Sequence, residues 1–180
     1  SFVSVTVSDR TSPPHTGSSN QFTVQAGALT KLQVLLPGET ATPGIAPGKT
    51  GSVNPILAGT AISVRVNAVD DWWNLKSSVT HDVQLSSSDN LANLPPVTPL
   101  FSGTRQLSVT LNSTGVHTVT ANDITQPSVM AGTSSQILVN PGNLYQFTFA
   151  NIVGPVTAGT PFSISVTAED QNGNRLVDYS

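Results

Sequence analysis

Residues 58–80 read AGTAISVRVNAVDDWWNLKSSVT, and residues 158–180 read AGTPFSISVTAEDQNGNRLVDYS. Ala58, Gly59, Thr60, Ser63, Val66, Ala68, Asp70 and Asn74 recur as Ala158, Gly159, Thr160, Ser163, Val166, Ala168, Asp170 and Asn174. A stretch written twice signals copies of one folding unit strung along the chain. Its first half alternates apolar and polar residues, Ile62, Val64, Val66 and Ala68 against Ser63, Arg65 and Asn67, which is the period of a half-buried strand.

A second echo fixes where the units divide. GSSNQFTVQAG at 17–27 matches GTSSQILVNPG at 132–142, VTVSD at 5–9 matches VTAND at 119–123, and Leu29, Leu32 and Val34 match Leu144, Phe147 and Phe149. The expected organisation is therefore the last strands of one unit at 1–27, a complete unit at 28–141, and the first strands of a third at 142–180. Short linkers at 24–29 and 139–144 would limit bending between them.

In the complete unit, strands are expected near 30–35, 59–69, 77–86, 105–111, 115–122 and 134–139, with an irregular one near 92–101; residues 2–9 read as a strand of the first unit. Each is short, β-branched and bounded by Gly, Pro, Asn or Ser. About seven such strands in roughly 100 residues predict an all-β chain of immunoglobulin-like two-sheet sandwiches. Alternation places Leu32 and Val34; Ile62, Val64, Val66 and Ala68; Val83 and Leu85; Leu107, Val109 and Leu111; His117, Val119 and Ala121; and Ile137 and Val139 on the inward faces. Each fully buried aliphatic side chain contributes about 1.5–3 kcal/mol, so the core needs neither metal nor disulfide.

Composition narrows the function. Only 9% of the 180 residues are charged, the net charge is −3, and there is no cysteine. No basic cluster exists to neutralise phosphates, which argues against nucleic acid, and no apolar run reaches the ~20 residues of a membrane helix. Surfaces built from Ser, Thr, Asn and Gln stay neutral over a wide range of pH and salt and suit an exposed extracellular material. No Gly-x-Ser-x-Gly elbow, phosphate loop or His-Glu-x-x-His helix appears, so no enzyme is expected.

The pattern A-G-T-x-[IF]-S-[VI]-x-V-x-A-x-D at 58–70 and 158–170, QLSVTLNSTGVHTVTAND at 106–123 and the closing GTSSQILVNPG resemble the bacterial Ig-like repeats found in tandem in large surface and secreted proteins. The resemblance implies an extracellular or cell-surface structural segment, in a filament, sheath, stalk or adhesin shaft, whose partners are neighbouring repeats and other copies of itself. A carbohydrate-binding or spacer module of a secreted enzyme is the alternative.

Departures from a minimal repeat mark the candidate sites. PGETATPGIAPGKTGSVNP at 37–55 is a long Pro/Gly loop, expected to lack regular structure, where the third unit has only a short link through Gly154-Pro155. A loop this long is usually functional or disordered, and neighbour packing, a plain surface loop and a ligand site all stay open. Trp72 and Trp73 stand where the other copy has Asn172 and Gly173. With Pro43, Ile45 and Pro47 they form the candidate interface. At least one tryptophan is expected against the preceding unit or the linker near Ala26–Leu29, ahead of a lateral contact between subunits and of sugar stacking.

Asp70, Asp71 and Asp123 close strands at one end, and calcium is the metal such oxygens would suit; Asp also caps turns through its own backbone, and no cofactor is otherwise expected. His117 is expected to be hydrogen-bonded at the sandwich edge, while His15 and His81 stand alone in the sequence. Asn112-Ser113-Thr114 reads as a glycosylation sequon.

Overall fold

Stiff β-branched side chains pack well on a pleated surface. Ala61–Val69, rich in them, forms the longest strand of the computed structural model, which describes residues 2–177. Ser1 and residues 178–180, the end of the second quoted stretch, lie outside the described residues.

Every regular element among the described residues is a strand. The leading part holds β1 (Phe2–Val3), β2 (Thr6–Ser8), β3 (Thr16–Ser18) and β4 (Phe22–Thr23). The central part holds β5 (Lys31–Leu35), β6 (Glu39–Ala41), β7 (Lys49–Gly51), β8 (Ile56–Leu57), β9 (Ala61–Val69), β10 (Asp82–Ser87), β11 (Thr98–Pro99), β12 (Thr104–Thr110), β13 (Gly115–His117), β14 (Val119–Asp123), β15 (Gly132–Thr133) and β16 (Ile137–Asn140). β17 (Gln146–Phe149) and β18 (Val166–Glu169) follow.

The central part is a two-layer sandwich. One layer runs β12-β9-β5, all antiparallel, with Leu107 opposite Val64, Val109 opposite Ile62, Leu32 opposite Ala68 and Val34 opposite Val66. The other is built from β11-β10-β14-β15 and β13-β16-β8, which share the bent runs 115–123 and 132–140. Because strand side chains alternate between faces, this register places one face of each layer inward. The aliphatic residues expected there, from Leu32 to Val139, are buried in one cluster, and Leu100, Val79 and Val129 join them from connections. His117 is only half-buried.

Local departures from the sequence reading have physical causes. The 115–122 run breaks at Thr118, whose carbonyl leaves the ladder to accept Ser88 N–H and Ser87 Oγ–H. Residues 77–81 are not strand, because the Val79 and His81 carbonyls serve Gly103 and Leu100 in the loop connections. The 37–55 segment is not irregular throughout: β6 and β7 pair as a hairpin, and β8, which follows it directly, lies parallel to β16. Its prolines at 43 and 47 are confined to the hairpin tip, so the ladder residues keep their N–H donors. The expected strand at 2–9 is two short ones, β1 and β2, paired with β4 and β3. Phe2, Val5, Val7 and Phe22 stay exposed, since no second layer among the described residues covers them.

Candidate functional site

Each of the two matching stretches ends in the same hydrogen-bonded turn. Asp70 N–H donates to Asn74 O at 3.1 Å, and Asp170 N–H to Asn174 O at 2.9 Å. Within the turn, one Asp70 carboxylate oxygen, Oδ1, accepts Trp72 N–H and Asn74 N–H at 2.9 Å each. Asp170 Oδ1 accepts Asn172 N–H at 2.9 Å and Asn174 N–H at 2.8 Å. Aspartate suits this role because its short side chain reaches backbone donors two and four residues on.

The other oxygen leaves the turn and grips the incoming chain. Gly27 N–H donates to Asp70 Oδ2 at 2.8 Å, and Gly142 N–H to Asp170 Oδ2 at 2.7 Å. Asn74 and Asn174 steady those oxygens through Nδ2 at 3.0 and 2.8 Å. Lys76 Nζ reaches Ala26 O at 3.3 Å in the first joint. Burial alone would push the Asp70 carboxyl up; the bonds from Gly27 and from Asn74 and Trp72 outweigh it and hold the group below the usual carboxylate range. The same opposition, led by burial and then by Asn174 and Gly142, depresses Asp170. Both carboxylates are therefore ionised at neutral pH, and both joints are charge-assisted.

The second joint carries a further set of contacts. Asn174 Nδ2 donates to Asn112 O at 2.7 Å, and its Oδ1 accepts Thr114 N–H at 3.1 Å. A Cβ placed on Gly59 would lie 3.0 Å from Asn172 Nδ2, and one on Gly142 would lie 3.1 Å from Ala58 O. The A-G-T turn and the Asn112–Thr114 turn thus receive the hairpin that follows them.

The tryptophan turn and the long loop meet each other. Trp73 has φ 66°, a left-handed conformation that is strained for a bulky residue, where its counterpart Gly173 has φ 80°. Its indole lies on Gly48, whose own φ is 82° and where a Cβ would enter the ring. Lys31 Nζ sits 3.8 Å from the ring centroid and donates to Asp71 O at 2.9 Å. Gly44 N–H donates to Trp72 O at 2.7 Å. The linker near Ala26–Leu29 is held by Asp70 and Lys76, and the left-handed bend at 73 sets the Trp73 indole on Gly48 of the long loop.

Buried polar groups pin that loop. Thr104 Oγ1 donates to Asn67 Oδ1 at 2.6 Å, Asn67 Nδ2 to Gln33 Oε1 at 3.0 Å, and Gln33 Nε2 to Gly48 O at 2.7 Å. Glu39 pairs with Lys49 at 3.0 Å and accepts Leu36 N–H at 2.8 Å and Ser135 Oγ–H at 2.6 Å. Sequence reading did not single out Gln33, Asn67 or Glu39; Glu39 and Lys49, opposite charges flanking a Pro/Gly tip, were the available signal. The tip residues Pro43, Ile45 and Pro47 are exposed beside Trp72, which is 70% exposed.

The remaining candidates separate. Asp123 accepts Gln126 N–H at 2.8 Å and pairs with His81 Nδ1 at 2.7 Å, so His81 is not alone. Asp70, Asp71 and Asp123 do not converge, and no group of three or more His, Cys, Asp or Glu residues among the described residues is placed to hold a metal ion. His15 joins Asp9 at 2.9 Å. His117 meets Ser113 O at 3.0 Å and Ser88 Oγ at 3.3 Å. The sequon asparagine is engaged, Asn112 Nδ2 donating to Leu91 O at 2.6 Å. Asp89, unremarkable in the sequence, is buried and takes Leu91, Asn112 and Ser113 N–H together with Ser113 Oγ–H, organising the turn that meets Asn174.

No protein-family model and no curated protein sequence matches the chain. Among solved structures it is similar to the Escherichia coli adhesin FdeC at 20% identity and a TM-score of 0.48, over 86% of this chain and 46% of that one. It is also similar to domains 1–6 of the surface layer protein SbsC at 18% identity and a TM-score of 0.41, over 89% of this chain and 19% of that one. The chain therefore spans less than half of either structure.

Proposed function

We propose that the chain is a segment of a tandem array of Ig-like units, divided at 1–27, 28–141 and 142–180, in a prokaryotic surface or secreted protein. Its work is rigid spacing and assembly at the cell exterior, as part of a filament, sheath, stalk or adhesin shaft, without catalysis. One observation carries this reading: the same carboxylate, in the same turn, grips the glycine N–H of the incoming linker at both joints. A linker that carried no load or direction would have no need of a charged side chain dedicated to its backbone. Each grip is worth about 1.5–3 kcal/mol as a hydrogen bond to a charged group. That is enough to keep the linker closed most of the time, and the array then behaves as a sum of unit and neighbour terms.

The chain has no cysteine, so two can be introduced for spin labels at Asn20 and Ser108. A narrow distance distribution that broadens in Asp70→Asn is the expected outcome. A distribution already broad in the parent chain, as for a Gly/Ser linker, would sink the proposal. Exposed, coplanar tryptophans would favour the carbohydrate-binding alternative; Trp72 is exposed, and Trp73 is half-buried against Gly48 and Lys31.

A further inference from the structure

The two joints are chemically matched at the clamp and unmatched beyond it. In the second joint Asn174 binds Asn112 O and Thr114 N–H, Asn172 rests on Gly59, and Gly142 rests on Ala58 O. In the first joint Asn74 donates Nδ2 to both Asp70 oxygens, at 3.2 and 3.0 Å, and has no counterpart of Asn112 or Thr114 to bind. The atoms nearest to a Cβ on Gly27 all belong to Asp70. The reason is register: VTVSD at 5–9 matches VTAND at 119–123, so residues 1–27 correspond to about 115–142 and contain no equivalent of 58–60 or 112–114.

We propose that Trp72 and Asn74 form a docking surface for the A-G-T turn and the Asn-Ser-Thr-type turn of the Ig-like unit to which residues 1–27 belong. The partner is a unit bearing these two turns, and the inference rests on the tandem reading above. Trp72 occupies the position from which Asn172 reaches the Gly59 turn, and it is 70% exposed. Glycine at the partner position leaves backbone open to a flat indole face, which the Pro43–Pro47 tip supports from the side through the bond from Gly44 N–H to Trp72 O. Asn74 would release one Asp70 contact and take the partner's carbonyl and N–H, as Asn174 does. The substitution of Trp for Asn at this turn therefore makes the first joint the more extensive of the two, with large apolar area added to the same polar bonds.

The test restores the missing turns. Placing a second copy of residues 28–114 ahead of Ser1 completes the first unit in register. Trp72, identified by subtraction of Trp72→Phe, should then be severalfold less accessible to acrylamide and emit at shorter wavelength. A folded added unit, seen as an additional cooperative transition, with Trp72 accessibility unchanged would overturn the proposal. Independently of that folding, Asn172→Trp in the present chain puts an indole into the joint that exists. Unchanged protection of the Gly142 amide with the new indole shielded supports the proposal; loss of that protection overturns it. The spin-label measurement reads the Gly27–Asp70 grip alone, so a rigid joint with an exposed Trp72 would defeat this inference and leave the tandem reading standing.

Discussion

Asp70→Asn is the most informative single change, because it keeps the shape of the joint and removes only its charge. Asp70 Oδ1 accepts Trp72 and Asn74 N–H, while Oδ2 accepts Gly27 N–H. An amide in its place offers one oxygen and one NH2, so it faces either the turn or the linker with a donor against a donor. If the oxygen stays with the turn, where two donors converge, Gly27 loses a charge-assisted bond worth about 1.5–3 kcal/mol. At 1.4 kcal/mol per decade, that predicts Gly27 amide exchange faster by roughly 10- to 150-fold, with Gly142 unchanged. If the oxygen turns to the linker instead, the stranded turn donors cost about 1–3 kcal/mol and the urea midpoint falls by on the order of 1 M. Hydrogen exchange read by NMR separates the two. A variant with unchanged Gly27 exchange and an unchanged urea midpoint would refute the argument that this carboxylate holds the joint.

Acidification should reproduce part of that loss. The folded-state pKa values of Asp70, Asp89 and Asp170 are all depressed, so their contributions are complete above the unfolded value near ~4 and vanish as pH falls through the lower folded values. Stability should be flat from neutrality to about pH 5 and fall below ~4, less steeply in Asp70→Asn. The Asp9 carboxyl, lowered chiefly by His15 N–H and then by Thr11, should titrate in an NMR experiment at about 2; a midpoint near the ordinary value would mean that the 9–15 turn is not formed. Gly48→Ala places a methyl inside the Trp73 indole at φ 82°, and overpacking of this kind costs about 1–3 kcal/mol, so thermal stability should drop and Trp73 emission move to the red. Glu39→Ala leaves Lys49 and Leu36 N–H without their carboxylate and should cost about 3 kcal/mol, whereas replacing Glu39 and Lys49 together by apolar residues should cost less, a comparison made by denaturation of both variants.

The sequence by itself determined the sandwich and its core. Alternation over 62–68 leaves one face available for burial, and that strand set one residue out of register would expose Val64 and Val66, so pattern and packing must agree. Repetition of Ser63, Val66 and Ala68 as Ser163, Val166 and Ala168 also marked the strand as scaffold. What the turn holds was not legible there, because the Gly27 and Gly142 amides lie 43 and 28 residues from their acceptors and nothing in local pattern encodes that closure. The 37–55 loop misled the reading for the same reason: its prolines and glycines at 43–48 describe the tip, while its order comes from Gln33, Asn67 and Ser135, distant in sequence and brought together by the sheets. Only the tertiary structure decided which tryptophan is committed. Identical residues side by side are equivalent to any sequence rule, and it took the left-handed backbone at Trp73 and the open space over Gly48 to seat one indole on its own loop and leave Trp72 in solvent.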